Sequence, residues 1–149
     1  MQLTPEAIES IMKHTIAEYP SECCGIVTGA NIVLRVHTLV NIQDRLHSED
    51  PGAHPRTSRE AYAVDRNEVE RIIREATNRN ESILAFYHSH IDCGAYFSAM
   101  DKDVQTVFGE PEFPDAVHIV VSVQQGVIHD IKGYLWDGRK KDFVEVAVR

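Results

Sequence analysis

Long hydrophobic runs are missing from this 149-residue chain. No stretch approaches the ~20 apolar residues needed to span a bilayer, so a membrane protein is not expected. The first fifteen residues, MQLTPEAIESIMKHT, carry acidic side chains and no uninterrupted apolar core. That argues against a signal peptide and for a cytoplasmic protein. Cysteine is scarce as well. Cys23, Cys24 and Cys93 are an odd count, and no C-x-x-C pair occurs. A disulfide framework and a zinc ribbon or finger are thereby set aside. Basic residues are the minority, 15 against 23 acidic, for a net charge of −8. A nucleic-acid binder normally shows a basic face. The one basic cluster, KGYLWDGRKK, reads as a solvated turn. Repeats, low-complexity tracts and linkers are also absent. What remains is an ordinary globular composition, 43% hydrophobic and 26% charged, expected to fold as one domain over residues 1–149.

Local patterns predict the elements. Thr4 and Pro5 open a helix over 5–18, with Ile8, Ile11, Met12 and Ile16 as its apolar stripe. Strands are expected at 22–28 and 32–40. On a strand, Cys23 and Cys24 would point to opposite faces. Residues 43–58 (QDRLHSEDPGAHPRTS) read as a long polar loop, with His47 and His54 as surface side chains, and a short strand at 61–64 follows. Asp65 and Glu68 form a capping box for a helix to about Thr77. Ile83 to Tyr87 is an unbroken apolar run, the pattern of a central strand covered on both faces. Residues 99–108 read as a helix with Met100, Val104, Val107 and Phe108 on its apolar side. Strands near 116–123, 126–136 and 143–148 complete a mixed sheet with packed helices, an α/β class.

Residues 88–101, HSHIDCGAYFSAMD, concentrate the chemistry. His88 and His90, at i and i+2 on a strand end, aim both imidazoles at one point. The chain then needs seven residues to reach Ser98, and Asp101 lies one turn into the next helix. Two imidazoles and one carboxylate leave a tetrahedral position for water, the catalytic rather than the structural pattern for zinc. Zinc lowers the pKa of such a water to ~7. Read separately, Ser98-x-x-Asp101 is a helix capping pair, and a lone H-x-H is weak. A cupin needs a glutamate soon after H-x-H, and an amidohydrolase barrel needs ~250 residues; neither condition is met. Glu22 supplies a candidate base, opening the otherwise apolar ECCGIVT. Partial burial there would raise its pKa toward a useful range.

Taken together, Glu22, His88-Ser89-His90, Ser98 and Asp101 resemble the JAMM motif of the JAB/MPN zinc metalloproteases. PSECCGIVTG matches the region of the family's glutamate. HTLVNIQDRLHSEDPGAHPRTSREAYAVD resembles a segment of small bacterial members. The resemblance implies a three-layer α/β fold similar to cytidine deaminases, a mixed sheet with flanking helices. It implies that His88, His90 and Asp101 bind one zinc ion. It implies that Glu22 is the general acid/base and that Ser98 donates a hydrogen bond to the oxyanion. The implied activity is hydrolysis of the peptide or isopeptide bond after the C-terminal glycine of a ubiquitin-like protein. For stand-alone bacterial members the implied partner is a sulfur-carrier protein, whose C-terminus is processed or relieved of an amino acid such as cysteine. A deaminase is disfavoured, because H-x-E and P-C-x-x-C are missing.

The chain departs from the pattern in one position, Ile91, where many relatives have Pro after the second histidine. Cys93 also falls in the loop beside the expected metal. It reads either as an inert thiol or as a latent ligand that blocks the site. Ser89 is expected to face away and to be structural. The loops 43–58 and 91–97 are expected to flank a groove for an extended C-terminal tail. The competing function is a non-catalytic MPN-type scaffold, although scaffolds of that kind typically lack motif residues.

Overall fold

The computed structural model describes all of residues 1–149. A six-stranded sheet runs through its centre in the order β2-β1-β3-β6-β7-β8. These strands are β1 (Cys24–Ala30), β2 (Val33–Leu39), β3 (Ser82–Ile91), β6 (Val117–Gln124), β7 (Val127–Asp137) and β8 (Asp142–Val146). β3 is central. It pairs antiparallel with β1 and parallel with β6, the only parallel pair in the sheet. Its apolar run is covered on both faces, as its composition predicts. β6 and β7 turn through Gln125 and Gly126, both at positive φ, the two-residue hairpin that a right-handed sheet twist favours.

Helix α1 (Pro5–Glu18) covers one face. The Thr4 hydroxyl accepts the Ala7 N–H, and Pro5 sits where no N–H is needed. Its Ala7 and Ile11 pack with Cys23, Val27, Tyr87, Ile119 and Val121. Helix α3 (Arg66–Asn78) covers the other face, where Val69 and Ile72 meet Cys24 and Ile26. Cys23 and Cys24 therefore do face opposite layers. No helix is long and apolar enough to cross a membrane.

Five expectations are corrected. Residues 43–58 are not all loop, because α2 spans Gln43–Glu49. It has no apolar stripe and no side-chain cap, so its sequence does not announce it. Its start is fixed from outside, by Asn41 accepting the Gln43 N–H and by the buried Gln43 donating to the Arg56 carbonyl. No strand forms at 61–64, since that segment is tied to Asn41 instead of a ladder. Asp65 caps α3 through the Asn67 N–H, but Glu68 does not close the box; it pairs with Arg71. Strand β1 begins at Cys24, so Glu22 precedes the ladder rather than opening it. Helix α4 (Ala99–Gln105) stops before 108 and gives way to a two-residue ladder, β4 (Thr106–Val107) and β5 (Glu110–Pro111). Val104, Val107 and Phe108 are consequently exposed rather than packed. Phe108 adopts φ 52°, at the tip of that turn.

Candidate metal centre

The carboxyl end of β3 and the N-terminus of α4 meet on the α3 face of the sheet. His88 and His90 share a side of β3, and both are buried. Ser89 points the other way, where its hydroxyl accepts the Cys23 N–H at 2.8 Å. Asp101 comes down from α4. Its Oδ1 is 3.1 Å from His88 Nε2 and its Oδ2 is 3.2 Å from His90 Nε2. The two imidazole Nε2 atoms are themselves 3.2 Å apart. One ligand atom from each residue lies within 4.8 Å of the others.

Capping and ligation are the same arrangement here. Ser98 Oγ accepts the Asp101 N–H at 3.0 Å, and Asp101 Oδ2 accepts the Ser98 N–H at 2.8 Å. This box, which satisfies orphan donors at a helix start, aims the carboxylate at the histidines. Because Ser98 Oγ only accepts in the box, its own hydrogen stays available to the adjacent cleft, which it lines.

The protonation pattern tests whether the residues fit a cation. His90 Nδ1 is 3.0 Å from the Gly94 carbonyl, which can only accept, so Nδ1 carries a proton. In the neutral ring Nε2 is then a lone pair, and it faces a carboxylate and a second imidazole. The Asp101 carboxylate and the His90 lone pair converge out of water, and positive charge between them offsets their burial. The N, N, O set suits zinc. Without a metal, that charge comes from protons. Burial pulls both histidines down, and it prevails at His88. At His90 the hydrogen bond to Asp101 and its charge outweigh burial and raise the pKa. Burial works against the Asp101 carboxylate, yet hydrogen bonds from both histidines hold it well below the usual carboxylate range.

Glu22 stands across the cleft, buried, with its backbone N–H on the Ser58 carbonyl and its carbonyl on Asn41. Burial pushes its pKa up to about 8, with His90 lowering it and Asp101 raising it. Glu22, His90 and Ser98 line one cleft of about 710 Å³, with Arg56, Cys93 and Tyr96.

Cys93 is half-buried and is not part of the three-residue group. Its thiol is 3.9 Å from the Tyr96 hydroxyl. Replacing Cys93 with Ser is expected to leave zinc affinity within about twofold of wild type, well short of the change seen when a ligand is disturbed. A large loss of zinc affinity in a chelator-competition assay, together with a gain in activity, would restore the latent-ligand reading.

Several residues at the site carry no motif. Tyr62 stacks on His88 at 4.6 Å between ring centroids and accepts from Gln105 of α4. Tyr96 sets its ring edge-on to His90 at 4.9 Å. Asn41 ties Glu22, α2 and residues 61–63 together. His118 is buried beside Phe86 and Phe143, its Nε2 without a partner, and burial pushes its pKa down to about 4. None has a spacing that would reveal it, because each reaches the site from a separate segment.

Comparison with known proteins agrees with this geometry. Residues 4–131 match the family described as prokaryotic homologs of the JAB domain. The desampylase of Haloferax volcanii is 26% identical over 129 residues, covering 82% of this chain and 80% of that protein. Tail tip assembly protein K of Escherichia phage N15 is 33% identical over 97 residues, 65% of this chain. The match spans only 33% of the phage protein's length. Among solved structures, a protein of Desulfitobacterium hafniense superposes with a TM-score of 0.72 at 21% identity, covering 99% and 90% of the two chains. A JAB1/MPN domain protein from Archaeoglobus fulgidus gives 0.56 at 16% identity, covering 100% and 97%. Matched over most of its length and folded alike, this chain belongs to the prokaryotic JAB-domain family.

Proposed function

We propose that residues 1–149 form a single zinc-dependent peptidase domain. It hydrolyses the amide bond after the C-terminal glycine of a ubiquitin-like protein, of the sulfur-carrier kind. The observation that carries this reading is Glu22, a buried carboxylate with a raised pKa, facing the same cleft as His90 and Ser98. The desampylase relative supports an isopeptidase on ubiquitin-like proteins. Three free thiols suit a reducing, cytoplasmic setting.

Zinc held by His88, His90 and Asp101 would supply Lewis acidity to the scissile carbonyl and to water. Glu22 takes the proton of the attacking water as its oxygen bonds to the carbonyl carbon. The Ser98 hydroxyl donates to the oxyanion that develops. Glu22 then returns the proton to the nitrogen as the C–N bond breaks. The acid and the amine are released, and Glu22 is regenerated. Residues 43–58 and 91–97 supply cleft walls through Arg56, Cys93 and Tyr96. Arg56 and Met100 also line a neighbouring pocket that reaches Tyr62, and Tyr62 borders a mostly apolar cavity of about 430 Å³.

The test is intact-mass analysis of a ubiquitin-like carrier with a C-terminal extension. The expected result is loss of the extension at the glycine, stopped by a chelator. Deleting residues 47–55 should lower kcat/KM at least about tenfold, the order lost when substrate positioning is disturbed. Normal cleavage after the deletion would take that loop out of the groove. The second reading, a non-catalytic scaffold, is favoured by the phage relative, whose name is that of an assembly protein. Partner binding without turnover in the metal-loaded wild type, unaffected by Glu22→Gln, would favour it.

A further inference from the structure

We propose that Ser122 and Tyr134 are positioning residues for the metal centre. Together they hold residues 93–95 against the sheet, so that the Gly94 carbonyl fixes the ring of His90. The proposal rests on the reading of His88, His90 and Asp101 as a metal site.

Three successive carbonyls of this loop turn inward, each to a different strand. The Ser122 hydroxyl on β6 donates to the Cys93 carbonyl. His90 Nδ1 on β3 donates to the Gly94 carbonyl. The Tyr134 hydroxyl on β7 donates to the Ala95 carbonyl at 2.7 Å. The register puts these side chains on one face. His90 lies opposite Ser122, and His118 lies opposite both Phe86 and Tyr134. Residues 93–95 belong to no helix or strand, and no backbone N–H meets these three carbonyls, so side-chain donors satisfy them.

Only the middle tether is a ligand residue. The outer two lock its acceptor in place. The Cys93 carbonyl can only accept, so the Ser122 hydroxyl is the donor; the Gln124 amide nitrogen lies 3.3 Å from the Ser122 oxygen and 3.4 Å from the same carbonyl. The loop entrance is pinned too. Asp92 adopts φ 55°, its N–H donates to the Val123 carbonyl, and its carboxylate accepts the Gln125 N–H and the Tyr19 hydroxyl. At the exit, Phe97 stacks on Tyr134 at 5.4 Å. If an outer tether is cut, its carbonyl is freed to shift and carry Gly94 with it, the Cys93 carbonyl then keeping only the longer contact to Gln124. His90 then loses the acceptor that keeps its proton on Nδ1 and its Nε2 free for metal.

The test measures zinc affinity by chelator competition in Tyr134→Phe, Ser122→Ala and Ser122→Thr. The control is Tyr87→Phe, which removes another buried tyrosine hydroxyl bond, to His14 under α1 on the opposite face. Tyr134→Phe and Ser122→Ala are expected to weaken zinc binding about 10- to 100-fold. Ser122→Thr should restore most of it, and the control should leave affinity unchanged. The proton on His90 Nδ1, followed by NMR, should be protected from exchange in wild type and exchange rapidly in Tyr134→Phe. Equal affinity in all variants, or an equal loss in the control, would overturn the proposal. If the wild type takes up no zinc, the metal reading fails. His90 exchange in the metal-free protein then decides alone: faster exchange in Tyr134→Phe upholds the positioning role, and unchanged exchange overturns it.

Discussion

Glu22→Gln is expected to lower kcat by about 10²–10⁴-fold, the contribution of a positioned acid/base, while leaving zinc bound. The same substitution should stabilise the metal-free protein at alkaline pH. The folded-state pKa of Glu22 is about 8, against 4.5 for the free side chain. Below about pH 4.5 the carboxyl is protonated in folded and unfolded chains alike, and burial exacts no ionisation penalty. As pH rises toward 8, the unfolded chain releases its proton and the folded one holds it, so stability falls with pH. Above 8 the loss is complete, on the order of a few kcal/mol. Glutamine cannot ionise and escapes that loss. Thermal unfolding of both proteins across pH 4–9, without metal, should therefore give curves that meet in acid and diverge in base. Parallel curves would mean that Glu22 is not held in a desolvated site. Zinc in the wild type should narrow the gap, since a cation near the carboxylate favours its charged form.

Asp101 carries two loads, and two substitutions separate them. Asp101→Ala should strip the metal and open half of the capping box, because one carboxylate faces both histidines and accepts the Ser98 N–H, while Ser98 Oγ still accepts the N–H of residue 101. Loss of that one hydrogen bond costs about 1 kcal/mol, or a few degrees in Tm for a chain of this size. Asp101→Asn keeps an oxygen for the Ser98 N–H but loses the charge. It is expected to hold α4 and still bind zinc at least about 100-fold more weakly, the larger end of what a disturbed ligand costs. Turnover should vanish in both. The measurements are elemental analysis and thermal unfolding of the two variants side by side. Wild-type zinc retention in Asp101→Asn would remove the carboxylate from the ligand set.

These two residues also mark how far the sequence could be read. His88, His90, Ser98 and Asp101 are legible because they fall within fourteen residues on two adjoining elements, and their spacings follow strand and helix periods. Capping and ligation look like rival explanations on paper. In the structure the capping box is what delivers Asp101 to the histidines. Glu22 is legible only as an odd charge opening an apolar strand, and its burial depends on Ser58 and Asn41 from distant segments. Helix α1 and strand β3 announced themselves through Thr4-Pro5 and the Ile83–Tyr87 run. Helix α2 did not, since tertiary ties rather than an apolar stripe start it. Val107 and Phe108 misled in the other direction, because apolar residues at helical spacing lie on an exposed turn. Tyr62, Ser122 and Tyr134 act through contacts across separate strands and loops, which no linear pattern encodes.

The proposed activity requires that His88, His90 and Asp101 hold a metal. The direct measurement is zinc per chain by elemental analysis, on untagged wild-type protein purified without chelator. The expected result is about one zinc per chain, the number one open tetrahedral site takes. Folded protein that has been offered zinc and retains none would contradict it, leaving residues 88–101 as a strand end and a capped helix.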